Sequence, residues 1–418
     1  MRGTGDKLGP MKYGVPGFLL VWILFSCGPG GAPVLEREDL FTLGLGTMED
    51  EMDIFTRSDV ASKEKNRFVL HDGRFSILNG QARKIMEFTS YGVLVTLHFN
   101  PETNPQPVAL GLASDDGQLR NRKAVPYYFN SPGELSLNRR KQMWVEDRIQ
   151  EERRVYDPVL GGLLDRVILR FDTDGTFLDF LGQEGIGGTP FPFVTGLFVT
   201  QNDETVVVCR TQKLWALWWF DKSHNPVFQQ QWSTDDIPLP ADRKDVYSTC
   251  AQLIPDPTER RVYFDVSYYE RTEDMATGAK TNISLYQNRI LFYDLSKKDF
   301  FHSIIVPRYN RKKTAPDGTE VLIEYPYSLL GVSQGRKFFF NTPTDLGESR
   351  LLILEEDGKS HSERTLKILD SEQKIILYHL APSGVLSALL SDGLQLKVVW
   401  WRSDKLVNIG NATPFISP

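Results

Sequence analysis

Short runs of alternating apolar and polar residues recur along the chain from residue 34 onward. Clusters of Asp, Gly, Asn and Ser separate these runs, as in the FDTDGT sequence at 171–176. Alternation with a period of two buries one face of a β-strand, and Asp-Gly sequences supply the positive φ that a tight hairpin requires. Long stretches with the 3.6-residue period of an amphipathic helix are almost absent. The pattern therefore predicts an all-β sandwich, barrel or propeller.

One pattern occurs six times and favours the propeller. An apolar strand is followed by a polar turn and another strand, with copies at 84–88, 167–171, 217–220, 290–293, 351–354 and 398–401. The following turns are marked by Ser90, Asp174, Ser223, Ser296, Asp357 and Asp404, at spacings of 84, 49, 73, 61 and 47 residues. The shorter spacings match the roughly 40–50 residues of one four-stranded blade, and the longer ones imply insertions.

The second copy is the most complete one. The sequence predicts an upstream strand at 143–148, an outer strand at 176–182 and a crossing to the next blade over the Gly/Pro-rich 183–193. This order resembles the NHL type of six-bladed β-propeller. Residues 34–418 as a whole are similar to the NHL-repeat lipoproteins of spirochaetes, most strongly at 84–88 and 167–192. The resemblance implies six blades with loop insertions.

A propeller must also close its ring and accommodate its extra residues. The apolar sequence at 40–45 is predicted to form an N-terminal strand that completes the last blade and hides its edge, with Leu406-Val407 as the competing segment.

Insertions are predicted at 100–125, 148–165 and 270–284. Such loops emerge on a rim or face, where binding loops usually lie, although long polar loops also arise as neutral decoration.

The N-terminus has the physical form of an export signal. Three basic residues precede an apolar run over 15–25, which is shorter than the roughly 20 residues of a membrane-spanning helix. Cys27 follows directly after Leu-Phe-Ser, which resembles the lipobox of bacterial lipoproteins, whose cysteine is acylated before cleavage. Ordinary signal cleavage near a chance cysteine is the alternative.

These features predict three segments: a lipoprotein signal peptide over 1–26, a flexible tether over 27–36 and the NHL-like propeller over 37–418. Two or three acyl chains on Cys27 would anchor the protein stably, because a single chain binds a membrane only marginally. We therefore expect an exported protein held on a bacterial membrane, at the periplasmic face or the cell surface.

Composition narrows the classes of partner. The 418 residues contain 48 Lys and Arg against 54 Asp and Glu, a net charge of −6 that becomes −8 without residues 1–26. This balance argues against a nucleic-acid partner and against electrostatic adhesion to anionic headgroups. Three cysteines exclude a disulfide scaffold. Cys209 and Cys250 are interpreted as buried free thiols, with a disulfide between neighbouring blades as the alternative.

Several sequence features suggest chemistry, but each has a structural interpretation. The Gly-rich 182–188 is followed by Thr-Pro-Phe-Pro, which cannot open the helix that a phosphate loop needs. Asp172 and Asp174 lack the further ligands of a calcium loop, which favours a hairpin turn. The tryptophans fit a sugar-stacking platform or packing between blades; they are Trp215, Trp218, Trp219, Trp400 and Trp401.

The six histidines show no HExxH spacing, and the chain has no CxxC sequence. His98 and His379 lie near strand ends in the first and last blades, which ring closure brings side by side. They are the candidate pair for a metal or a catalytic site, against the more common interpretation of satisfied polar residues. The sequence predicts no further catalytic residue and no cofactor.

The expected function is that of a membrane-anchored envelope protein that binds a protein partner or acts as a scaffold, without enzymatic activity. A hydrolase- or lyase-like propeller enzyme and a purely structural envelope protein are the alternatives. Convergent His, Asp or Glu groups around the axial funnel would favour the enzyme. An apolar funnel with large exposed loops would favour the binding module.

Overall fold

The computed structural model describes residues 32–54, 64–110, 122–272, 282–314, 318–344 and 348–407. Strands of these residues form eight sheets, of which six are blades around a common axis and two are separate hairpins. The chain is therefore a six-bladed β-propeller, as the sequence predicted. The described helices are short and none is long and apolar enough to cross a membrane; they are the 3₁₀ turns Glu151–Arg153, Thr234–Asp236 and Asp370–Glu372, and α1 (Asp404–Val407).

The strands follow one another blade by blade. The first described strands are β1 (Val34–Leu35) and β2 (Arg37–Gly44). β1 belongs to the fifth blade and β2 to the sixth. The first blade contains β3 (Asn66–His71), β4 (Arg74–Asn79), β5 (Lys84–Thr89), β6 (Leu94–Phe99) and β7 (Lys123–Pro126). The second contains β8 (Leu135–Leu137), β9 (Met143–Arg148), the inserted hairpin of β10 (Val155–Asp157) and β11 (Gly162–Leu164), then β12 (Arg166–Phe171), β13 (Phe177–Gly182) and β14 (Gly185–Ile186).

The remaining blades follow the same order. The third contains β15 (Val194–Val199), β16 (Thr205–Arg210), β17 (Leu214–Phe220) and β18 (Pro226–Ser233). The fourth contains β19 (Tyr247–Pro255), β20 (Arg261–Thr272), β21 (Asn282–Asp294) and β22 (Asp299–Val306), followed by a second hairpin, β23 (Arg308–Thr314) and β24 (Glu320–Pro326). The fifth contains β25 (Ser328–Val332), β26 (Phe338–Pro343), β27 (Glu348–Leu354) and β28 (Ser360–Lys367), and the sixth β29 (Ile375–Leu380), β30 (Leu386–Ser391) and β31 (Gln395–Trp401).

The repeated sequence pattern forms the third strand of each blade, counted from the axis. These strands are β5, β12, β17, β21, β27 and β31, and each marker residue lies within three residues after its strand. Neighbouring blades cover both faces of the third strand, so residues of either parity are buried: Trp218 and Trp219 are 0% and 1% exposed. The prediction of one copy per blade is confirmed.

Ring closure uses the N-terminal strand. β2 pairs antiparallel with β31, from Arg37 opposite Trp401 to Gly44 opposite Gln395, and so supplies the outer strand of the sixth blade. Residues 40–44 of the predicted closing segment lie in β2, whereas Leu406 and Val407 lie in α1. Leu43 is buried in a hydrophobic cluster that joins the first and sixth blades.

The N-terminal chain reaches the ring before β2. Val34 and Leu35, which the sequence assigned to the tether, pair in parallel with Thr365 and Leu366 of β28. The Thr365 N–H donates to the carbonyl oxygen of Pro33 at 3.0 Å. The first strand contact of the described chain is therefore made at the outer edge of the fifth blade.

Connections between strands alternate between two faces of the ring. Because neighbouring strands within a blade are antiparallel, the first-to-second and third-to-fourth connections emerge where the inner strands end, which we term the exit face. The other connections emerge where the inner strands begin, the entry face. The hairpins β10–β11 and β23–β24 and the long ribbon of β20 and β21 all belong to entry-face connections.

The three predicted insertions have different outcomes. Residues 148–165 contain the β10–β11 hairpin, and 270–284 includes the distal ends of β20 and β21. The segment 100–125 leads into β7, but its residues 111–121 lie outside the described chain. The sequence did not predict the β23–β24 hairpin, because its strands continue the alternating pattern of the neighbouring blades.

Charged pairs connect the exit-face turns of neighbouring blades. Arg260 of the fourth blade lies 2.6 Å from Glu204 of the third. Lys141 of the second blade lies 3.2 Å from Asp72 of the first. Arg336 of the fifth blade lies 3.4 Å from the buried Asp256 of the fourth. The exit-face turns thus connect neighbouring blades through ion pairs, in addition to reversing the direction of the chain.

Candidate functional site

One concave site is the axial funnel between the six inner strands, which are β3, β8, β15, β19, β25 and β29. It encloses a cavity of about 380 Å³ that residues from all six blades line. Much of its wall is apolar, with Val69, Phe198, Leu330 and Leu380 among its residues. Each inner strand pairs with a blade on one side only, so its second edge faces the funnel.

Two histidines line the exit end of the funnel. His71 is the last residue of β3 and His379 lies near the end of β29, so ring closure places the first and last blades side by side here. The backbone N–H of Leu70 donates to Nδ1 of His379 at 3.0 Å. An accepting Nδ1 fixes the neutral tautomer of His379, with its proton on Nε2.

Burial keeps both imidazoles uncharged near neutral pH. It lowers the pKa of His379 to about 4, with a further contribution from the proximity of His71. Burial also lowers the pKa of His71, whose Nε2 has no hydrogen-bond partner in the described part of the chain. His71 and His379 therefore form a neutral polar site with few hydrogen bonds in the largely apolar wall of the funnel.

An ion-pair network borders the entry end of the funnel. Arg67 of β3 makes a two-pronged contact with Glu134, which immediately precedes β8; the Nε–Oε2 distance is 2.6 Å. Nζ of Lys65 lies 2.6 Å from Glu146 and 3.2 Å from Glu134. Lys65 also lies 4.5 Å from the ring centre of Phe193. These charges neutralise one another and connect the first three blades.

The structure does not bring the candidate pair His98 and His379 together. His98 lies on β6, the fourth strand of the first blade, with its ring 5.3 Å from that of Phe171 and its Nε2 close to Gly175 of the second blade. Burial lowers the pKa of His98 to about 4. His379 instead neighbours His71 across the ring closure.

The other sequence candidates have structural roles where the structure describes them. The backbone N–H of Thr176 donates to Asp174 at 2.9 Å, which confirms the hairpin-turn interpretation of this sequence. Cys209 and Cys250 are buried free thiols, and burial raises the pKa of both. Cys27, the predicted lipid-attachment residue, lies outside the described residues.

The tryptophans pack mainly inside the ring. Trp215, Trp218, Trp219 and Trp401 are at most 7% exposed, and Trp400 packs partly buried against the cluster that joins the first and sixth blades. Packing between blades therefore accounts for their positions, and they present no common exposed platform.

The arrangement in the funnel favours binding of neutral groups over proton transfer. The Glu134 carboxylate pairs with Arg67, and Asp256 is fully buried and accepts hydrogen bonds from Tyr263 and its own turn. Within the described ranges no group of three or more His, Cys, Asp or Glu side chains could hold a metal ion. A ligand would meet apolar walls and two uncharged imidazoles.

Several exposed apolar side chains lie on the entry-face hairpins. Tyr156 and Leu163 lie opposite each other in the β10–β11 pair and are 61% and 40% exposed. Val321 and Leu322 of β24 are 49% and 54% exposed. Exposed apolar patches with polar surroundings mark contact surfaces for other molecules.

Sequence reasoning missed the residues that define the funnel. It recognised the third strand of each blade but not the inner strand β3, so it paired His98 rather than His71 with His379. The available signal was the run Arg67-Phe68-Val69-Leu70-His71 before an Asp-Gly turn, which is an alternating strand of the same length as its neighbours.

Comparison with known proteins assigns no family to the chain. No family model and no curated protein matches the chain. Similar solved structures include the Dos1 propeller (11% identity, 78% of this chain and 68% of that chain, TM-score 0.33). The propeller domain of the Trilobed protease from Pyrococcus furiosus, described with an open velcro topology, is 8% identical over 81% of this chain and 96% of that chain, with a TM-score of 0.36.

A third similar structure is an ulvan lyase of a new polysaccharide lyase family. It is 11% identical over 85% of this chain and 84% of that chain, with a TM-score of 0.35. Identities and TM-scores this low assign neither a family nor an activity to the chain.

Proposed function

We propose that this chain is an exported lipoprotein, anchored through acyl chains on Cys27, that binds a protein partner of the cell envelope through the entry face of its propeller. The observation that carries the proposal is the asymmetry of the ring. In the described part of the chain the long β insertions lie in entry-face connections and expose apolar side chains there, whereas the exit-face turns are short and several of them are ion-paired.

The short approach to the ring fits an anchored protein. Cys27 is six residues from Pro33, whose carbonyl oxygen already accepts a hydrogen bond from the fifth blade. Six extended residues span at most about 20 Å. Acyl chains on Cys27 would therefore hold the edge of the fifth blade near the membrane surface and leave both faces of the ring accessible from the side.

Acylation of Cys27 is tested by metabolic labelling with a fatty-acid analogue and by detergent phase partition of the full chain. We expect label and detergent partition in the wild-type protein and neither in the Cys27→Ser variant. Cys250→Ser is the matched control, because that thiol is buried and should not affect labelling. A Cys27→Ser chain that still partitions into detergent contradicts the anchor.

Binding through the entry face is tested with photo-crosslinking residues in intact cells. A crosslinker in place of Tyr156 or Leu322 is expected to capture a discrete envelope protein. Replacement of Lys222 or Lys298, in exit-face turns, should capture none. Equal capture from both faces would contradict the assignment of the partner surface, whatever the result for Cys27.

A hydrolase- or lyase-like activity in the funnel is the second candidate, because His71 and His379 converge there beside an apolar wall. It requires at least one of these imidazoles to exchange a proton with a substrate. Turnover of an envelope-derived substrate that His379→Gln abolishes, without loss of partner capture, would favour this candidate over pure binding.

A further inference from the structure

A cleft of about 120 Å³ between the third and fourth blades opens on the entry face. The third blade contributes the turn between β16 and β17, and the fourth contributes the beginning of β19. Trp215 and Trp232 lie opposite each other in β17 and β18, line the cleft and are 7% and 3% exposed. Ser248 and Thr249 of β19 add hydroxyl groups to its wall. The cleft thus combines two indole rings with groups that can donate hydrogen bonds.

Two cations line this cleft without an acidic partner. Arg210 and Lys213 are both exposed, and the Cζ atom of Arg210 lies over the Trp215 ring, 5.0 Å from its centre. Neither cation forms an ion pair with an acidic residue in the described part of the chain. By contrast, Arg260 and Arg336 pair with carboxylates of neighbouring blades. The charges of Arg210 and Lys213 therefore remain available to a carboxylate of another molecule.

Neighbouring groups hold both cations at the cleft. Arg210 reaches toward the fourth blade, since its charge opposes the rise that burial causes in the pKa of the Cys250 thiol. The stem of Lys213 passes close to Gly161 of the β10–β11 hairpin, where an added Cβ atom would lie 2.9 Å from Cδ of the lysine. Gly161 also has a positive φ of 65°, which favours glycine. The hairpin and the turn between β16 and β17 therefore form one surface.

This surface includes the side chains proposed above to contact the partner. The hairpin that carries Gly161 also exposes Tyr156 and Leu163. A partner that covers these side chains would also remove Arg210 and Lys213 from water. An unpaired cation in an interface costs binding free energy, whereas a cation that meets a carboxylate adds specificity and association rate. The partner therefore has to supply acidic groups at this position.

We propose that the cleft between the third and fourth blades binds an acidic peptide segment of the protein partner, whose carboxylates pair with Arg210 and Lys213. A guanidinium that lies over an indole ring keeps the N–H groups of its edge free for a planar carboxylate. The net charge of the whole chain is −6, so the attraction comes from this local pair of cations. The inference rests on the entry-face partner of the proposed function and specifies the chemistry of that partner.

Titration of a dye-labelled, capped hexaglutamate peptide with the full chain in mild detergent tests the cleft, by fluorescence anisotropy. We expect saturable binding that the double variant Arg210→Gln/Lys213→Gln weakens at least about tenfold, because both charge-assisted hydrogen bonds are lost. The charge-matched control is Lys222→Gln/Lys298→Gln, in exit-face turns, which should retain the wild-type affinity. A hexaglutamine peptide should not bind. All four side chains are exposed, so both variants should unfold at the wild-type temperature.

Three results of this titration would overturn the proposal. They are the absence of binding to the wild type, equal weakening by the two double variants, and full displacement of the peptide by an equal concentration of inorganic phosphate. In the second case the peptide adheres through net charge alone. In the third the cleft binds free anions.

The same variants separate this inference from the proposed function in intact cells. A crosslinker in place of Tyr156 should capture less partner in the Arg210→Gln/Lys213→Gln chain and the usual amount in the exit-face control. Unchanged capture in the cleft variant overturns the acidic-peptide site and leaves the entry-face partner standing. Absence of capture by the wild type counts against the partner surface, and the peptide titration then decides the cleft by itself.

Discussion

The exit and entry faces of the ring use the same strands for different purposes. On the exit face the turns are short, and pairs such as Arg260–Glu204 connect neighbouring blades. On the entry face the hairpins β10–β11 and β23–β24 project from the ring and expose apolar side chains. A two-stranded hairpin is marginally stable alone. Contacts between blades occur at both ends of the ring, since Lys65 pairs with Glu146 at the entry end of the funnel, but the projecting entry-face hairpins are free to vary in length and surface chemistry.

The largest expected effect is the loss of fold stability at low pH through His379, which lies at the exit end of the funnel. Burial lowers the pKa of His379 to about 4, from 6.5 for an exposed histidine. The neutral imidazole therefore contributes stability that is complete above pH 6.5 and is lost as the pH falls toward 4, up to about 3 kcal/mol. Asp147 and Asp265, whose pKa burial raises to about 6, act in the opposite direction over part of this range.

A variant separates these opposing contributions. His379→Gln retains an acceptor for the Leu70 N–H but cannot gain a proton. The free energy of unfolding in urea should decrease less between pH 6.5 and 4 in this variant than in the wild type. Parallel curves for the two proteins would mean that His379 is not buried in its neutral form.

Asp256 and Asp157 allow a direct comparison of the two faces, because each accepts a hydrogen bond from a backbone N–H of its own turn. Asp256, on the exit face, is 0% exposed and accepts hydrogen bonds from its own turn and from Tyr263 at 2.5 Å. Asp157, on the entry-face hairpin, accepts from the N–H of Leu160 at 3.0 Å but is half-buried. Asp256→Ala should lower the free energy of unfolding by about 3 kcal/mol and Asp157→Ala by about 1 kcal/mol. Equal losses in chemical denaturation would remove the distinction between the faces.

Removal of an ion pair should also cost more unfolding free energy on the exit face than on the entry face, but each loss should be smaller than that for the aspartate on the same face. Arg336 is 28% exposed and lies against the buried Asp256, whereas the Lys312–Glu320 pair of the entry-face hairpin is 72% and 64% exposed. Arg336→Ala should cost about 1–2 kcal/mol of unfolding free energy, and Lys312→Ala less than about 0.5 kcal/mol. A double-mutant cycle of Arg336→Ala with Asp256→Asn should show coupling, while Lys312→Ala should be additive with either.

Excision of the β23–β24 hairpin should have the smallest effect on the fold. Tyr309 and Tyr325 lie opposite each other, so an Asn-Gly turn can replace 310–324 and keep the contact of Arg350 with the Tyr309 ring at 5.0 Å. The melting temperature should change by no more than about 2 °C. A large fall in calorimetry would show that the hairpin supports the ring and weaken its assignment to partner binding.

The sequence predicted the ring because its strongest pattern lies in the most buried strand. The third strand of each blade is covered on both faces, which requires a continuous apolar run such as Leu217-Trp218-Trp219-Phe220. The inner strands carry a weaker signal, since one face lines the funnel and accepts Arg67 or His71 as readily as Val69. The funnel residues were consequently missed or mispaired, although the blade count and the closing strand were predicted.

The entry-face elements were harder to predict for a related reason. β23 and β24 alternate like blade strands, so their sequence does not reveal that they leave the ring. The fifth strands β1 and β14 are two residues long, which is too short for a periodicity. Their positions depend on long-range pairing with β28 or on a local Gly-rich turn, neither of which a local pattern can specify.

The closure of the sixth blade by β2 also sets an order of assembly. Arg37 contacts Glu372 at 2.6 Å across a separation of 335 residues, so this contact cannot form until the last blade has been synthesised. Until then β2 is an unpaired strand, and the hydrophobic cluster around Leu43 lacks its sixth-blade half. Contacts of such high sequence separation fold slowly. Although β2 is the first strand of its sheet in the sequence, it is thus the last to pair. Any factor that keeps β2 unpaired during synthesis would govern the yield of folded protein.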